Sequence, residues 1–498
     1  MIYNFNLGIG WASSGVEYAQ LYRARMFRGL NEPAKFIFTD MFPQENLEHF
    51  TKHIGFEDDE VIWLYTFFTD FRISPVTYTL QQFEETLADQ KFSVSRTGKT
   101  GRLQFQDQGK YCTIYFTDEK HDLVHRVEYV SRGALIRKDY FTYGRINTEY
   151  YAPLNGSAHL YLRRFFHEDG TIAYEEQVGE KNSLFRFPDH IFFSKEDLVG
   201  YFVQCLHLTQ HDTVIVDRTT GIGQAIFENA GNARIGIVVH ADHYSVSGTD
   251  DVHILWNNYY EYPFDLYRHI SFFIASTRAQ QQKMAEQFEH YIGTVPEIDV
   301  IPVGSLDSLT YPKQPRKPYS IVTASRLASE KHLDWVIEAC VLARKEVPEL
   351  TLDICGAGGE YQRLHTLILK NNASSYIRLL GQQEMKDLYP NYELYLSGST
   401  SEGFGLSLME AVGSGLAMIG FDVPYGNPTF IRDGKNGALI PVSETMSEQE
   451  RVKALADAVV QYFRSADRKA YSGCSYEIAS EYLTENVVQK WKNVIHAE

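Results

Sequence analysis

No stretch of this chain reaches the roughly 20 consecutive apolar residues that a membrane-spanning helix needs. The opening Met1-Ile2-Tyr3-Asn4 has no basic segment ahead of an apolar core, so a secretory leader is not expected. Cysteine is scarce. Cys112, Cys205, Cys340, Cys355 and Cys474 are scattered, without Cys-x-x-Cys spacing. An odd, sparse set in mostly apolar surroundings fits reduced core thiols in a cytoplasmic protein. Positive charge is in deficit, with 47 Lys and Arg against 64 Asp and Glu and a formal net charge of -17. That balance disfavours nucleic acid, whose binders draw affinity from neutralising phosphates. It says little about a small anionic ligand, which needs only a local basic site. What remains is a globular composition: 44% hydrophobic, 22% charged and 14% aromatic over 498 residues, enough for two to four domains.

Residues 2–7 read as a buried strand, followed by the loop Gly8-Ile9-Gly10-Trp11-Ala12-Ser13-Ser14-Gly15. A helix comes next with Val16, Ala19, Met26, Phe27 and Leu30 on one face and Ser13 or Ser14 as its N-cap. Strand, glycine loop and helix N-terminus can together cradle a phosphate. The glycines run Gly-x-Gly-x4-Gly and no Walker lysine follows, so NAD and P-loop readings are rejected. A plain tight turn stays open. Further buried strands are expected at 34–39 and 61–65. After Tyr78 the texture changes to short alternating runs at 111–116, 124–130, 135–141, 159–165 and 184–187, punctuated by turns such as Glu168-Asp169-Gly170. This predicts antiparallel hairpins inserted between strands of a parallel-sheet domain, serving either as a binding platform rich in Tyr and Arg or as a structural appendage.

Strand and helix alternation resumes at Asp212, with strands expected at 213–216, 234–239, 270–275 and 299–303 and a helix at 278–291. A Pro- and Lys-rich linker at 312–318 leads into a second alternating region with strands at 319–323, 351–355, 377–381, 393–399 and 416–421. A final helix at 484–497 carries Val487, Val488, Trp491, Val494 and Ile495 on one face. The fold class is α/β: two Rossmann-like doubly wound domains facing one another, with an inserted antiparallel sheet. The expected boundaries are 1–77 and 206–311 for the first domain, 78–205 for the insert, 312–483 for the second domain and 484–498 for the terminal helix.

The richest motif is Ser401-Glu402-Gly403-Phe404-Gly405-Leu406-Ser407-Leu408-Met409-Glu410-Ala411, a strand-to-helix loop running into a short helix. Gly403 and Gly405 permit close backbone approach to a ligand, and the helix N-terminus offers free N–H groups. Glu402 lies in the loop and Glu410 roughly two turns into the helix, a gap suited to contacting separate parts of one long ligand. With 64 acidic residues the spacing also arises by chance, which leaves a loop acid and a solvated helix acid as the bland alternative. Arg326 and Lys331 fall just beyond the first strand of the second domain, where open α/β sheets place ligands. They can neutralise a diphosphate or pair with surface acids such as Glu330. His240, in Val238-Val239-His240-Ala241-Asp242-His243-Tyr244, ends a buried strand of the first domain. It could bond a sugar hydroxyl, hold a metal with His243, or simply close the strand. No third ligand has motif spacing, and His-Glu-x-x-His is absent.

The Glu-Gly-Phe-Gly loop and the Ser-Arg-Leu-x3-Lys arrangement resemble those of retaining glycosyltransferases of family 4. The opening Asn6–Tyr18, the hairpin insert, His240-Ala241-Asp242-His243-Tyr244 and Pro424-Tyr425-Gly426-Asn427 narrow the resemblance. They are similar to the glycosyltransferase subunits of bacterial accessory Sec systems, over essentially the whole chain. The resemblance implies a cytoplasmic enzyme, with room for peripheral association at the membrane. It implies transfer of N-acetylglucosamine from UDP-GlcNAc to Ser or Thr of a serine-rich repeat adhesin before export. It also implies a homologous non-catalytic B subunit as partner, with the inserted sheet helping to bind that subunit and the acceptor. Gly15, Val16 and Glu17 would face UDP, Arg326 and Lys331 its diphosphate, Gln382 and Gln383 the uracil, and Glu410 the ribose. His240, Glu402, Gly403, Phe404 and Gly405 would hold the sugar, with His240 and Glu402 as the catalytic pair. Asp242 stands where the family pattern has Glu.

No Asp-x-Asp occurs in the chain, so the usual divalent-metal clamp of single-domain nucleotide-sugar transferases has no candidate. No metal or other cofactor is expected, and cationic side chains and helix dipoles would carry the leaving-group charge. Two competing readings stay open: a silent acceptor-binding subunit, and a transferase that uses UDP-glucose or a non-protein acceptor.

Overall fold

The structure, a computed structural model, describes residues 1–9, 15–42, 45–106, 109–443, 445–465 and 467–497. Residues 10–14 of the glycine loop, and with them the N-cap expected at Ser13 or Ser14, lie outside the described residues. Two compact units make up the chain. The first comprises Met1–Ala24, Asn31–Ile237 and Glu261–Ser271, and the second Arg25–Leu30, Val238–Tyr260 and Phe272–Glu498.

Short apolar strands buried on both faces pair in parallel in the first unit, in the order Val61–Trp63, Ala34–Phe38, Ile2–Asn6, Thr213–Val216, Arg234–Val239. Phe272–Ala275 and Ile298–Val300, which belong to the second unit, pair in parallel with one another. Ile2 sits opposite both Ala34 and Thr213, so the strand order reverses on either side of Ile2–Asn6. The helix Gly15–Leu30 follows that strand in sequence. It buries Val16, Ala19, Met26 and Phe27 as periodicity demands, and Leu30 only partly. It also buries a polar stripe, Glu17, Gln20 and Arg23, that apolar periodicity could not reveal. Arg23 donates to both oxygens of Asp217 at 2.7 and 3.0 Å and to Asn4 Oδ1 at 2.9 Å. Breaking such a buried pair by removing one partner costs about 3–5 kcal/mol.

The strand expected at 61–65 stops at Trp63, and Leu64–Phe67 turns into a short helix. The carbonyl of Tyr65 is taken by the Tyr174 hydroxyl at 2.7 Å, a bond from the inserted sheet. An apolar run cannot announce such a partner.

The insert is a ten-stranded antiparallel meander in strict sequence order from Phe92–Thr97 to Ile191–Phe192. Sequence patterning shows five of these strands. Phe92–Thr97, Thr100–Phe105, Arg145–Leu154 and Ile172–Gln177 carry Ser, Thr, Gln, Arg or Glu among their apolar residues, which hides them. Thr79 caps the helix Leu80–Glu85 by accepting from the Gln82 amide. That helix helps cover a core of Phe83, Leu103, Cys112, Ile114, Phe116, Val127 and Phe141. Burial pushes the Cys112 thiol up to about 12, so it stays an inert core thiol. Stacked rings join the insert to the rest of the first unit, with Tyr65–Phe165 at 5.6 Å, Phe165–Tyr174 at 4.4 Å and Tyr174–Phe187 at 4.5 Å.

The second unit holds a six-stranded parallel sheet in the order Ile377–Gly381, Thr351–Cys355, Ser320–Ala324, Leu394–Leu396, Ala417–Phe421, Gly437–Ile440. Leu333–Ala343 and Glu448–Ser465 cover one face through Trp335, Val336, Leu455 and Val459. Leu406–Gly413 and Arg468–Ser480 cover the other through Leu408, Met409, Val412 and Ile478. The chain builds outward from Ser320–Ala324 in one direction and then restarts beside it with Leu394–Leu396. That reversal makes a topological switch point, and ligands of open α/β sheets bind outside the carboxyl ends of the strands there. The last helix, Thr484–Ile495, buries Val487, Trp491 and Val494. Among the described residues no helix is long and apolar enough to cross a membrane.

Candidate functional site

The switch point of the second unit gathers two loops. One follows Ser320–Ala324 and carries Arg326 and Lys331; the other follows Leu394–Leu396 and carries Glu402. Tyr395, on the second strand, ties the two sides together. Its hydroxyl donates to the Ala324 carbonyl at 3.0 Å and lies 3.1 Å from Ser407 Oγ near the head of the next helix.

Glu402 is held by its backbone as well as its side chain. Its N–H donates to the Pro424 carbonyl at 3.1 Å, and its own carbonyl accepts from Tyr425 at 2.6 Å and Gly426 at 2.7 Å. Lys331 Nζ donates to Glu402 Oε2 at 2.6 Å, with side-chain exposures of only 13% and 19%. A charge-assisted bond so withdrawn from water orients both groups. Arg326 behaves differently. It is 71% exposed and pairs with Glu330 at 3.1 Å, a surface bond worth about 0–1 kcal/mol. The two cations read together from the sequence therefore do not converge: Lys331 meets Glu402, and Arg326 meets Glu330.

The loop's two glycines have separate reasons. A Cβ on Gly403 would come within 2.8 Å of the His240 carbonyl oxygen. Gly405 takes φ 85° as it enters the helix Leu406–Gly413, and a Cβ there would lie 2.6 Å from Leu408 Cδ1. Phe404 between them is buried, edge-on to Phe430 at 5.2 Å, so its ring serves the core. Because Gly403–Gly405 remain loop, the helix starts at Leu406 and Glu410 lies about one turn in, where two were expected. Burial, reinforced by the nearby Glu384 carboxylate, pushes the Glu410 carboxyl up to about 7. Gln382 and Gln383 are exposed just beyond Ile377–Gly381, and Gln383 donates to the Leu380 carbonyl at 2.8 Å.

His240 follows Arg234–Val239 and belongs to the same compact unit as Glu402, since that unit takes in Val238–Tyr260. Ser401 Oγ donates to Asp242 Oδ2 at 2.9 Å, joining the His240 segment to the Glu402 loop. Desolvation raises the Asp242 carboxyl above its ordinary range. His243 is a structural residue. Its Nε2 lies 2.7 Å from Gln287 Oε1 and its Nδ1 3.4 Å from the Tyr425 hydroxyl. Burial holds it down to about 4, so a neutral ring fills the core. With both ring nitrogens engaged it is not placed as a metal ligand beside His240.

Gly15, Val16 and Glu17 form the first turn of Gly15–Leu30 in the first unit. Gly15 is exposed, whereas Val16 and Glu17 are buried. Glu17 Oε1 accepts from Asn6 Nδ2 at 3.4 Å and lies 3.9 Å from Arg218. Glu17 thus sits inside the polar network that also holds Gln20, Arg23 and Asp217. No sequence motif foretold that network, nor the tie made by Tyr395, because each partner comes from a distant part of the chain.

Two doubly wound parallel sheets, an inserted antiparallel sheet and an acid–cation pair at a switch point define an α/β glycosyltransferase with a GT-B-type fold. Residues 311–466 match the family described as glycosyl transferases group 1, and residues 93–189 match the GtfA extended beta-sheet domain. The chain is 52% identical over 495 residues to the GtfA subunit of UDP-N-acetylglucosamine–peptide N-acetylglucosaminyltransferase from Streptococcus gordonii, covering 99% of this chain and 98% of that one. It is 50% identical to the corresponding subunit from Streptococcus agalactiae, over 99% of this chain and 97% of the relative. It superposes with TM-score 0.94 on the crystal structure of the pneumococcal O-GlcNAc transferase GtfA in complex with UDP and GlcNAc, at 49% identity and with coverage of 99% and 98%. The crystal structure of a GtfA/B complex gives TM-score 0.94 at 52% identity, with coverage of 99% of each chain. The chain belongs to the GtfA subunit family.

Proposed function

We propose that this chain transfers N-acetylglucosamine from UDP-GlcNAc to Ser or Thr side chains of a serine-rich repeat polypeptide. In this reading it acts in the cytoplasm and assembles with a homologous, non-catalytic B subunit. Relatives at half identity along the full chain carry that activity in their names, and one such structure holds UDP and GlcNAc. The observation that carries the reading to particular residues is the withdrawn Lys331–Glu402 pair at the switch point, with the His240 carbonyl against Gly403. Glu402 and His240 would flank the donor sugar, with Gly403, Phe404 and Gly405 shaping the loop around it. Lys331 would balance the charge that gathers on the diphosphate as the glycosidic bond breaks, with Arg326 further out. Glu410 would accept from the ribose, and Gln382 and Gln383 would lie at the uracil. Gly15, Val16 and Glu17 would also contact UDP.

The reaction would retain anomeric configuration and need no metal. Support for the second point is chemical: the chain lacks Asp-x-Asp and supplies a cation of its own at Lys331. The test is Glu402→Gln assayed in the complex with and without EDTA. The fold and UDP affinity should survive while donor hydrolysis and peptide transfer both fall by about two orders of magnitude or more. Wild-type activity should ignore EDTA. A fully active Glu402→Gln enzyme sinks the site assignment, and activity lost to EDTA but restored by Mn²⁺ sinks the metal-free mechanism.

A further inference from the structure

The peptide that carries His240 is held by side chains that no part of the donor-site reading uses. The amides of His240 and Ala241 both donate to one atom, the Tyr260 hydroxyl oxygen, at 2.9 and 3.1 Å. Consecutive N–H groups converging on one oxygen form a concavity that holds a peptide in a single orientation. From the other side Gln280 Nε2 donates to the Ala241 carbonyl at 2.9 Å. The Gln280 amide is itself oriented, since its Oε1 accepts from the Ser276 amide at 3.4 Å. Tyr260 and Gln280 are buried, at 4% and 0% exposure, so neither bond is exchanged for water. Asn257 completes the clamp, donating to the Asp242 carbonyl at 2.9 Å through Nδ2 and to the His243 carbonyl at 2.9 Å through its backbone.

Each of these donors and acceptors is neutral. They fix geometry without adding charge beside a reacting centre, as a positioning role requires. The clamp also reaches the Glu402 loop, because the His240 carbonyl abuts Gly403 and Asp242 accepts from Ser401. Rotating the 240–241 peptide would swing the imidazole.

We infer that Tyr260 is a positioning residue for the transfer reaction, its hydroxyl orienting the His240 peptide with Gln280 as the second pin. The inference rests on the reading of His240 as a sugar-site residue. Misplacing a reacting group by about an ångström can cost two orders of magnitude in rate. Loss of one of two pins should cost less, a fall in kcat of roughly ten-fold.

The experiment is steady-state UDP-GlcNAc hydrolysis and peptide transfer by the full-length complex, with UDP affinity by calorimetry and folding by thermal melt. The variants are Tyr260→Phe, Gln280→Met, His240→Ala and the double variant His240→Ala/Tyr260→Phe. Tyr260→Phe should lower kcat roughly ten-fold while UDP affinity stays within about two-fold, because its hydroxyl acts on the His240 peptide. Gln280→Met should do the same, which keeps the test alive if Tyr260→Phe folds poorly. Tyr260→Phe should cost nothing further in the His240→Ala background, since it acts through that residue. Unchanged kcat in folded Tyr260→Phe and Gln280→Met, or a full additional loss in the double variant, overturns the proposal. A fully active His240→Ala removes the reading on which it stands, a distinct outcome visible in that single variant.

Discussion

Glu410 shows how much chemistry one carboxyl can hold. Its pKa is lifted from the ordinary 4.5 to about 7, first by burial and then by Glu384. The folded protein therefore binds more protons than the unfolded chain between those two values. The stabilisation this gives is fully present below the unfolded pKa and is lost as pH rises through about 7. Glu410→Gln should accordingly raise the melting temperature relative to wild type at about pH 8, with the gain shrinking toward about pH 5. If Glu410 accepts from the ribose, its ionised form accepts more strongly, so UDP affinity in wild type should improve from about pH 6 to about pH 8 and lie flat and weak in the variant. Thermal melts and calorimetry at both pH values check the two halves. Lys331 and Arg326 invite a second comparison. Lys331→Ala leaves Glu402 unpaired in a part-buried site and should cost kcat/KM about 2 kcal/mol or more. Arg326→Ala loses an exposed pair and should cost well under that, about 1 kcal/mol or less. Equal losses in the two variants would show that the exposed arginine swings in to serve the donor.

At the scale of elements, the helix Leu406–Gly413 depends on its entry. Gly405 bends the chain at φ 85° so that Leu408 and Met409 turn into the core. The far end is held by the guanidinium of Arg316, from the linker, which donates to the Ser414 carbonyl at 2.7 Å and the Tyr392 carbonyl at 2.7 Å. A cation at that end also complements the helix dipole. Gly405→Ala would place a side chain in the left-handed region, costing about 1–2 kcal/mol, and would press on Leu408. The expected result is a lower melting temperature together with weaker donor hydrolysis, because strain at the helix entry shifts Glu402 and Glu410 together. A variant that melts earlier yet hydrolyses UDP-GlcNAc normally would show that the loop tolerates the shift.

For the whole molecule the inserted sheet is the distinguishing addition. Its core is sealed by the helix Leu80–Glu85. Leu154 and Tyr161 stay exposed on it, at 51% and 46%. An exposed tyrosine is a common anchor of a protein partner, and an exposed leucine adds apolar contact. Excising the insert would also strip Tyr174 from the Tyr65 carbonyl, so surface substitution is the cleaner probe. Leu154→Glu/Tyr161→Glu should weaken binding of the B subunit about ten-fold or more. Peptide transfer should fall with it, while UDP-GlcNAc hydrolysis by the isolated chain should not change. Titration of the labelled B subunit and a hydrolysis assay measure the two effects separately.

The sequence by itself determined the strands that are mostly apolar and buried. Thr213–Val216, Arg234–Val239, Phe272–Ala275 and Ala417–Phe421 occur where their apolar runs place them. Burial on both faces leaves little choice of residue in a parallel strand. It also determined that Glu402 stands in a loop between a strand and a helix, since the glycines after it interrupt both patterns. Polar and amphipathic segments were less legible. Five strands of the insert went unread, four because one face of an antiparallel sheet accepts almost any polar residue and Ile191–Phe192 because it is only two residues long. The helix entry at Leu406 was misjudged, because which glycine turns left-handed depends on what its neighbours pack against. Only the tertiary structure decided that Lys331 and not Arg326 meets Glu402, and that Arg23, Asn4 and Asp217 form one buried cluster. Tyr260 likewise holds His240 from twenty residues away. The physical reason is shared. A hydrogen bond between distant residues is made by the path of the backbone between them, and neither partner's immediate sequence records that path.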